Sequence, residues 1–399
     1  MTRIATGCSA DPDTNTAVQA CLDTVLDQLS GEPHYLMVHA NSAYDRDHLH
    51  KALRERLPET SIHGATSCLG VMTDKALCNA PANGMGVWAV TDDGGDFGTG
   101  MAEIGENARQ SAANAVLSAL ADAGRTGEIP QIVWISASPG QEEDILAGIQ
   151  DIVGTDVAIV GGSAADDEIA GQWWMFTHQG TCSSGIVVSV LFTSFSIGTA
   201  YHSGYSPSGK HAVVTKAHGR IVEELDGRPA AEVYSEWTGQ TFATSGTDPV
   251  NVLGSTTLQP LGRERGNLAG SPIYILSHPE TVRPDGSISL FTDISVGDVL
   301  HHMTGTVESL IERPVNVCAS AMEMAELDQG DIEGGIIVYC AGCMLTVRDR
   351  LPEVRDNLLK TLPGVPFITT FTFGEQGPVL DEVNRHGNLM ISAVLLGDH

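Results

Sequence analysis

Basic residues are scarce in this 399-residue chain: 21 Lys+Arg stand against 50 Asp+Glu, a formal net charge of −29. Only Lys51, Lys75, Lys210, Lys216 and Lys360 are lysines. With no basic stripe, nothing offsets repulsion from a phosphate backbone or an anionic lipid face, so neither nucleic acid nor membrane is an expected partner. An acidic, lysine-poor surface stays hydrated once salt screens its self-repulsion, which suits an acidic bacterial protein from a saline habitat. No apolar run approaches the ~18 residues of a membrane helix. The strongest, Gly185–Phe192, has the length of a buried strand. The N-terminus MTRIATGCSADPD lacks the apolar stretch of a secretion signal. A cytoplasmic location is therefore expected, with the eight cysteines as reduced thiols.

Catalytic templates are missing as well. There is no GxSxG elbow, Walker loop or HExxH, and Gly98-Thr99-Gly100 lacks the third glycine of a dinucleotide fingerprint. ATP hydrolysis, NAD chemistry and zinc proteolysis are not expected, and no metal site is assigned.

What is present is a chain with 42% apolar residues, enough for large cores. Its first third alternates strand and helix. Strands are expected at Thr2–Thr6, Tyr35–Ala40, Ile62–Ala65, Gly84–Val90, Ile132–Ser136 and Val157–Val160. Helices are expected after Asp13, over Asp45–Leu57, from Asn107 to Ala123 and over Glu142–Val153. Strands dominate from Trp173 to Val214, with Gly204–Gly209 as a loop. A helix at Ala230–Trp237 precedes a polar stretch, Gly239–Gly270, read as mobile or a lid. Further strands are expected at Ile273–Ser277, Ser287–Phe291, Ile336–Cys340, Phe367–Phe373 and Leu389–Leu396, with helices at Val315–Leu327 and Leu351–Leu362. The pattern is a two-domain layered mixed α/β fold, its sheets flanked by helices. A boundary near 197/198 gives two similar halves, 1–197 and 198–399.

Several strands end in glycine followed by a small polar residue: Gly7-Cys8-Ser9, Gly64-Ala65-Thr66-Ser67 and Gly161-Gly162-Ser163. Ser9, Ser67 and Ser163 could offer hydroxyls and backbone donors to a carboxylate or carbonyl, or simply cap strand-to-helix turns. Cys340-Ala-Gly-Cys343 ends an apolar strand. It reads as structural cysteine, ligand-contacting thiol, redox pair or, less simply, metal ligand. Glu375, between glycines after a strand, could meet a ligand amine or act as a base if burial raised its pKa; it could also only cap a turn. Tyr205 flanks the Gly204 loop, and Asn388 precedes the last strand; both are pocket candidates. Trp173-Trp174 on a strand would send one ring inward and leave the other to cover a pocket or a homodimer interface. On an extended chain the His301 and His302 rings would point apart.

Five blocks together, Gly64–Thr73, Gly161–Asp167, Gly204–Tyr234, Phe371–Pro378 and His386–Gly397, resemble the FIST family, with a FIST N-terminal domain followed by a FIST C-terminal domain. The resemblance spans essentially the whole chain. It implies an intracellular module that binds small molecules such as amino acids. It also implies an output through histidine kinases, cyclic-di-nucleotide enzymes or chemotaxis receptors. One branch is described as binding haem and sensing nitric oxide. No residues are left over for an output domain, so a histidine kinase or cyclase in trans is the expected partner. Many members look like Cys-x-Gly-Arg where this chain has Cys343, so an arginine role there would pass to Arg348 or Arg350.

Three readings follow. The first is a binding and sensing protein for a small polar, amino-acid-like metabolite, with no cofactor. The second is a freestanding hydrolase or lyase acting on a small carbonyl or carboxylate compound through Cys340 and Glu375. The third is a haem-dependent nitric oxide sensor.

Overall fold

The structure is a computed structural model describing residues 3–29, 31–79, 83–242, 247–268, 271–379 and 383–398. Alternating strand and helix patterns resolve into one unit used three times: strand, helix, strand, helix, strand, hairpin, strand. The first runs Ile4–Ser9, Thr14–Leu26, Tyr35–Ala40, Arg46–Arg56, Ser61–Thr66, the hairpin Gly70–Thr73/Leu77–Asn79, and Met85–Val90. The second runs Asp96–Glu103, Ala108–Asp122, Ile132–Ala137, Glu142–Val153, Ala158–Ser163, the hairpin Met175–Thr177/Gly180–Cys182, and Gly185–Phe192. The third runs Ser196–Ser203, Val307–Met324, Ile332–Cys340, helical turns to Thr361, Phe367–Thr372, the hairpin Glu375–Pro378/Asn384–Gly387, and Met390–Gly397. Between its first strand and first helix a separate, strand-rich segment is inserted.

Each unit's strands form a sheet with a parallel pair at its centre: Tyr35–Ala40 with Ser61–Thr66, Ile132–Ala137 with Ala158–Ser163, and Ile332–Cys340 with Phe367–Thr372. The hairpins do not stay at home. The first unit's hairpin completes the third sheet, the second's completes the first, and the third's completes the second. The three sheets are thereby locked in a cycle.

Strand alternation explains the layers. In Tyr35–Ala40, Tyr35 and Met37 face a centre shared by all three sheets, which also holds Trp88, Trp134, Val160, Val338 and Ile368. Leu36 and Val38 face outward onto the unit's own helices through Val18, Leu22, Leu49 and Leu53. The second sheet repeats this with Val133 and Ile135 under Val116, Ile145 and Ile149. The third does so with Ile337 and Tyr339 under Leu310, Val317 and Val354. Helix starts are fixed by side-chain caps, Asp13 to Thr16 N (2.8 Å), Asp45 to His48 N (2.9 Å) and Asn107 to Gln110 N (3.0 Å).

The inserted segment, from Ser206 to Thr304, forms a further antiparallel sheet with the helix Ala230–Thr238 packed on it. It docks on the third unit, where Ile275, Leu276 and Met303 join the core around Tyr339 and Leu389.

The mixed α/β fold with helix-flanked sheets is the architecture expected from the sequence. The expected 197/198 boundary falls at the start of the strand Ser196–Ser203, between the second and third units. The repeating part is a third of the core rather than half of the chain. Four local expectations are corrected. Gly204–Gly209 is not a loop, because the strand Ser206–His218 begins there and pairs with Val299–Thr304. The helix expected at Val315 starts two turns earlier, at Val307, behind a Thr306/Ser309 capping box, and carries Pro314 inside it. The strand Asp96–Glu103 and the hairpin at 70–79 were not foreseen. The stretch 239–270 contains the helix Leu253–Thr256 and the strand Leu261–Leu268; residues 243–246 and 269–270 of it lie outside the described residues.

Candidate functional site

The parallel strand pairs of all three sheets point their carboxyl ends the same way, toward the inserted sheet. Between the two lies a cavity of about 700 Å³, at the kind of place where open α/β sheets bind ligands. Its core wall comes from the turns after those strands: Cys68, Gly140 and Glu142, Asp167, Cys340 and Phe373. Its opposite wall comes from the inserted sheet: Arg220, Leu253, Thr257, His278, Glu280 and Phe291.

Three non-glycine residues with positive φ sit in or beside this wall: Leu69 (59°), Ile169 (56°) and Leu389 (55°). Ile169 lines the cavity, while Leu69 and Leu389 follow the lining residues Cys68 and Asn388. Such conformations persist only where the surroundings enforce them. Here Asp167 does part of the enforcing. Its carboxylate accepts from Leu69 N (2.7 Å) and from Asn41 Nδ2 (2.9 and 2.8 Å). Its neighbour Asp166 accepts from Ala170 N (2.9 Å) and Gln172 N (2.7 Å), closing the loop that presents Ile169.

Glu142 and Arg220 join the two walls. Arg220 Nη2 donates to Glu142 Oε2 and to Glu143 Oε2, both at 2.7 Å, and Nε donates to Asp293 (3.2 Å). Burial alone would push the Glu142 carboxyl up, but His386 and Arg220 outweigh it and hold the group below its usual range. Ser163 Oγ donates to Glu142 Oε1 (2.9 Å), so this serine orients a carboxylate rather than meeting a ligand.

Cys340 and Asn388 are the expected site residues that line the cavity. Asn388 Oδ1 accepts from His278 N (3.2 Å), while its buried Nδ2 has no partner among the described residues. An unmatched buried donor at a cavity wall fits a ligand acceptor. Glu375 is a correction: it does not reach the cavity and is fully buried behind Cys340. Thr372 Oγ1 donates to its Oε1 (2.9 Å) and Met390 N to its Oε2 (3.1 Å). Burial, then the neighbouring Cys340, pushes its pKa well above the usual carboxylate range. Burial likewise pushes the Cys340 thiol up. Both shifts favour the protonated forms, a carboxylic acid beside a thiol.

Tyr205 and Cys343 are also buried behind the wall, with Tyr205 Oη and Cys343 Sγ 3.7 Å apart. Ser67 is fully engaged inside, donating to Gly70 O (2.5 Å) and accepting from Phe371 N (2.8 Å). Ser9 lies elsewhere, at the end of the first strand, accepting from Asp11 N (3.2 Å). Trp174 packs in the first unit's core, and Trp173 lines the cavity with its ring edge-on to Phe373 (6.1 Å, 88°).

Among the described residues, Glu142, Glu143 and His386 have the spacing of a metal-ligand group. Arg220 already occupies both carboxylates, so a metal ion would have to displace it. His278 is the histidine among the described lining residues, and its Nε2 is engaged with Leu253 O (3.2 Å). His301 and His302 lie outside the lining, on opposite faces of the inserted sheet: His301 packs beside His211 (5.4 Å) and His302 meets Tyr234 edge-on (6.5 Å).

The residues that sequence reasoning missed are those of the inserted wall and the acids Glu142 and Asp167. Asp167 and Arg220 both fall in blocks that carry the family resemblance, and that was the available signal.

Residues 34–228 match the FIST N domain and residues 230–378 the FIST C domain. An uncharacterized protein of Methanocaldococcus jannaschii is 34% identical over 106 residues, which are 26% of this chain and 20% of that protein. This chain thus matches only about a fifth of that relative's length. Two solved structures of cyanuric acid hydrolases are similar at low identity. The A. caulinodans enzyme is 10% identical, with TM-score 0.42 over 100% of both chains. The other is 9% identical, with TM-score 0.28 over 76% of this chain and 99% of that one.

Proposed function

The chain belongs to the FIST family, through an N and a C domain that together match most of its length, and from that premise we propose that it binds a small polar metabolite and relays its presence. FIST domains are associated with small-ligand sensing in signal transduction. The observation that carries the reading here is the cavity of about 700 Å³ between the three-sheet core and the inserted sheet.

Its lining points to the ligand's chemistry. Glu142, Asp167, Glu168 and Glu280 stand against one arginine, Arg220, which is already paired. Trp173, Phe291 and Phe373 supply aromatic surface. Carboxylates beside aromatic faces favour a cation, and the unmatched Asn388 Nδ2 favours an acceptor at the other end of the same molecule. An amine that also carries a carbonyl or carboxylate, amino-acid-like in size, meets both demands. Because the cavity has one wall in each body, occupancy alters how they are held together. That change is what a separate histidine kinase or cyclase would read.

Thermal-shift screening of amino acids, amines and betaines against the purified protein tests this. A binder at about 100 times its Kd adds roughly 2.7 kcal/mol, and the shift should shrink in Asn388→Leu and Trp173→Ala. Absence of any binder, or binding indifferent to both substitutions, overturns the proposal.

A second reading rests on Cys340, which lines the cavity with Glu375 behind it. An enzyme acting on a small carbonyl compound through this pair would need its bound substrate to help ionise the thiol. Turnover that survives Cys340→Ser rules that reading out.

A further inference from the structure

The sequence offers Cys340-x-x-Cys343 as its thiol pair, but the structure assembles another from residues seventy positions apart. Cys8 lies on the strand Ile4–Ser9 directly opposite Gly86. Cys78 lies on the hairpin strand Leu77–Asn79 directly opposite Val71. Gly86 has no side chain, and a Cβ built there would come within 2.8 Å of Val71 Cγ2. That missing side chain lets the first sheet settle closely on the hairpin. Gly86 stacks on Val71, which sets Cys8, the cross-strand neighbour of Gly86, over the hairpin that carries Cys78, the cross-strand neighbour of Val71. Thr73 Oγ1 donates to Cys8 Sγ (3.3 Å). Cys8 is half-buried, Cys78 is buried, and both are reduced.

We propose that Cys8 and Cys78 form a peroxide-responsive dithiol, in which Cys8 is the attacking sulfur and Cys78 the resolving one, closing a disulfide between the first sheet and the hairpin of the third. Redox-sensing cysteines combine thiolate character, access and a nearby resolving thiol. Cys8 has all three. The hydrogen bond from Cys78 holds its pKa down to about 7 against its own burial; the Thr73 hydroxyl and the Arg355 charge act in the same direction, and Asp74 opposes them. Cys21 is the other thiol nearby, and burial pushes it up. In the CxxC pair, by contrast, Cys340 is nine-tenths buried or more and burial pushes its thiol up.

The oxidant is a hydroperoxide. The Cys8 thiolate attacks its terminal oxygen, the O–O bond breaks, and the departing alkoxide takes a proton to become an alcohol. Cys8 is then a sulfenic acid. The Cys78 sulfur attacks it, the S–O bond breaks, and the hydroxide leaves with the Cys78 proton as water. In sum, two thiols lose two electrons to one hydroperoxide, giving a disulfide, an alcohol and water.

The test uses the full reduced chain and hydrogen peroxide. Under limiting maleimide Cys8 should label first. After peroxide, two of the eight thiols should be lost together. Mass mapping without reductant should join the Cys8 and Cys78 peptides, with fragmentation that distinguishes Cys8 from Cys21, and dithiothreitol should reverse the change. In Cys78→Ala, a sulfenic acid at Cys8 should be trapped by dimedone; in Cys8→Ser, Cys78 should stay alkylatable after peroxide. A crosslink confined to Cys340–Cys343, or Cys8 passing to sulfinic acid while Cys78 stays reduced, overturns the proposal. So does Cys8 being no more reactive than the other cysteines.

Discussion

Arg220, at a turn of the inserted sheet, and Glu142, at the first turn of a core helix, are joined by a 2.7 Å hydrogen-bonded ion pair at the edge of the cavity. Both side chains are largely buried, at 19% and 4% exposure. Removing one partner of such a pair leaves the other charge uncompensated, which typically costs roughly 3–5 kcal/mol.

Arg220→Met is therefore expected to lower the unfolding free energy measured by urea titration by an amount in that range, with Asn388-dependent ligand shifts weakened too. Arg220→Met combined with Glu142→Met should recover much of the loss, because the carboxylates then left without Arg220, Glu143 and Asp293, are the more exposed ones, at 31% and 61%. A double variant no better than the single one contradicts the pairing.

Stability should rise with pH between about 4 and 6.5. Burial lowers the pKa of His39, His202 and His278 to about 4 and takes His63 well below its usual value. Such groups bind protons in the unfolded chain near 6.5 but not in the folded one. Their contribution is complete above 6.5 and is lost as pH falls. Each unmatched proton is worth about 1.4 kcal/mol per pH unit. Glu375 has the opposite sign. Its raised pKa favours the folded state at low pH, and that contribution fades as pH climbs through the folded value. One carboxyl against four histidines leaves a positive slope. Urea titrations at several pH values read it directly, and a flat profile would refute it.

Glu375→Gln should cost less than Glu375→Leu near neutral pH, since the amide oxygen can still accept from Met390 N while the Thr372 hydroxyl turns to accept from the amide nitrogen. It should also remove the loss of stability on the alkaline side. Glu375→Leu leaves Thr372 Oγ1 and Met390 N without their acceptor and should cost about 1–3 kcal/mol for each stranded group. Equal losses in the two variants would mean that the carboxyl is ionised.

Asn388→Leu should weaken the cavity's ligand by about tenfold, the value of one hydrogen bond, and should cost the ligand-free protein up to about 1–3 kcal/mol, because His278 N loses its acceptor. Isothermal titration against the best binder from the thermal-shift screen measures it.

How legible all this was depended on what each segment uses to hold its place. Tyr35–Ala40 and Glu142–Val153 declare themselves because dense apolar patterning and acidic first-turn residues coincide with their element. Asp96–Glu103 is a strand whose glycines disguise it. A Cβ at Gly98 or Gly100 would strike the carbonyl oxygens of Ala119 (2.2 Å) or Ala115 (2.1 Å), so those residues are chosen for the helix above and not for strand propensity. Ser206–His218 opens with Pro207 and Gly209, which read as loop. The threefold unit is hidden in the sequence by the insertion within its last copy. In the site, Cys340 and Asn388 were legible because they follow or precede recognisable strands. Arg220, Thr257 and Glu280 were not, because their membership of the cavity exists only once the inserted sheet has docked. Of the strand-end serines, Ser163 and Ser67 face inward and hold other groups.

The cyclic exchange of hairpins has a consequence for the ribosome. The strand Ala158–Ser163 gains its outer neighbour only when Glu375–Pro378 arrives, roughly two hundred residues later in synthesis, and until then the second sheet presents a bare edge able to pair with other chains. Contacts that span so much of the chain are also slow to form. Nascent chains of this protein are thus expected to lean on chaperones late in translation, and release from them would coincide with the closing of the cycle rather than with the completion of any one repeat.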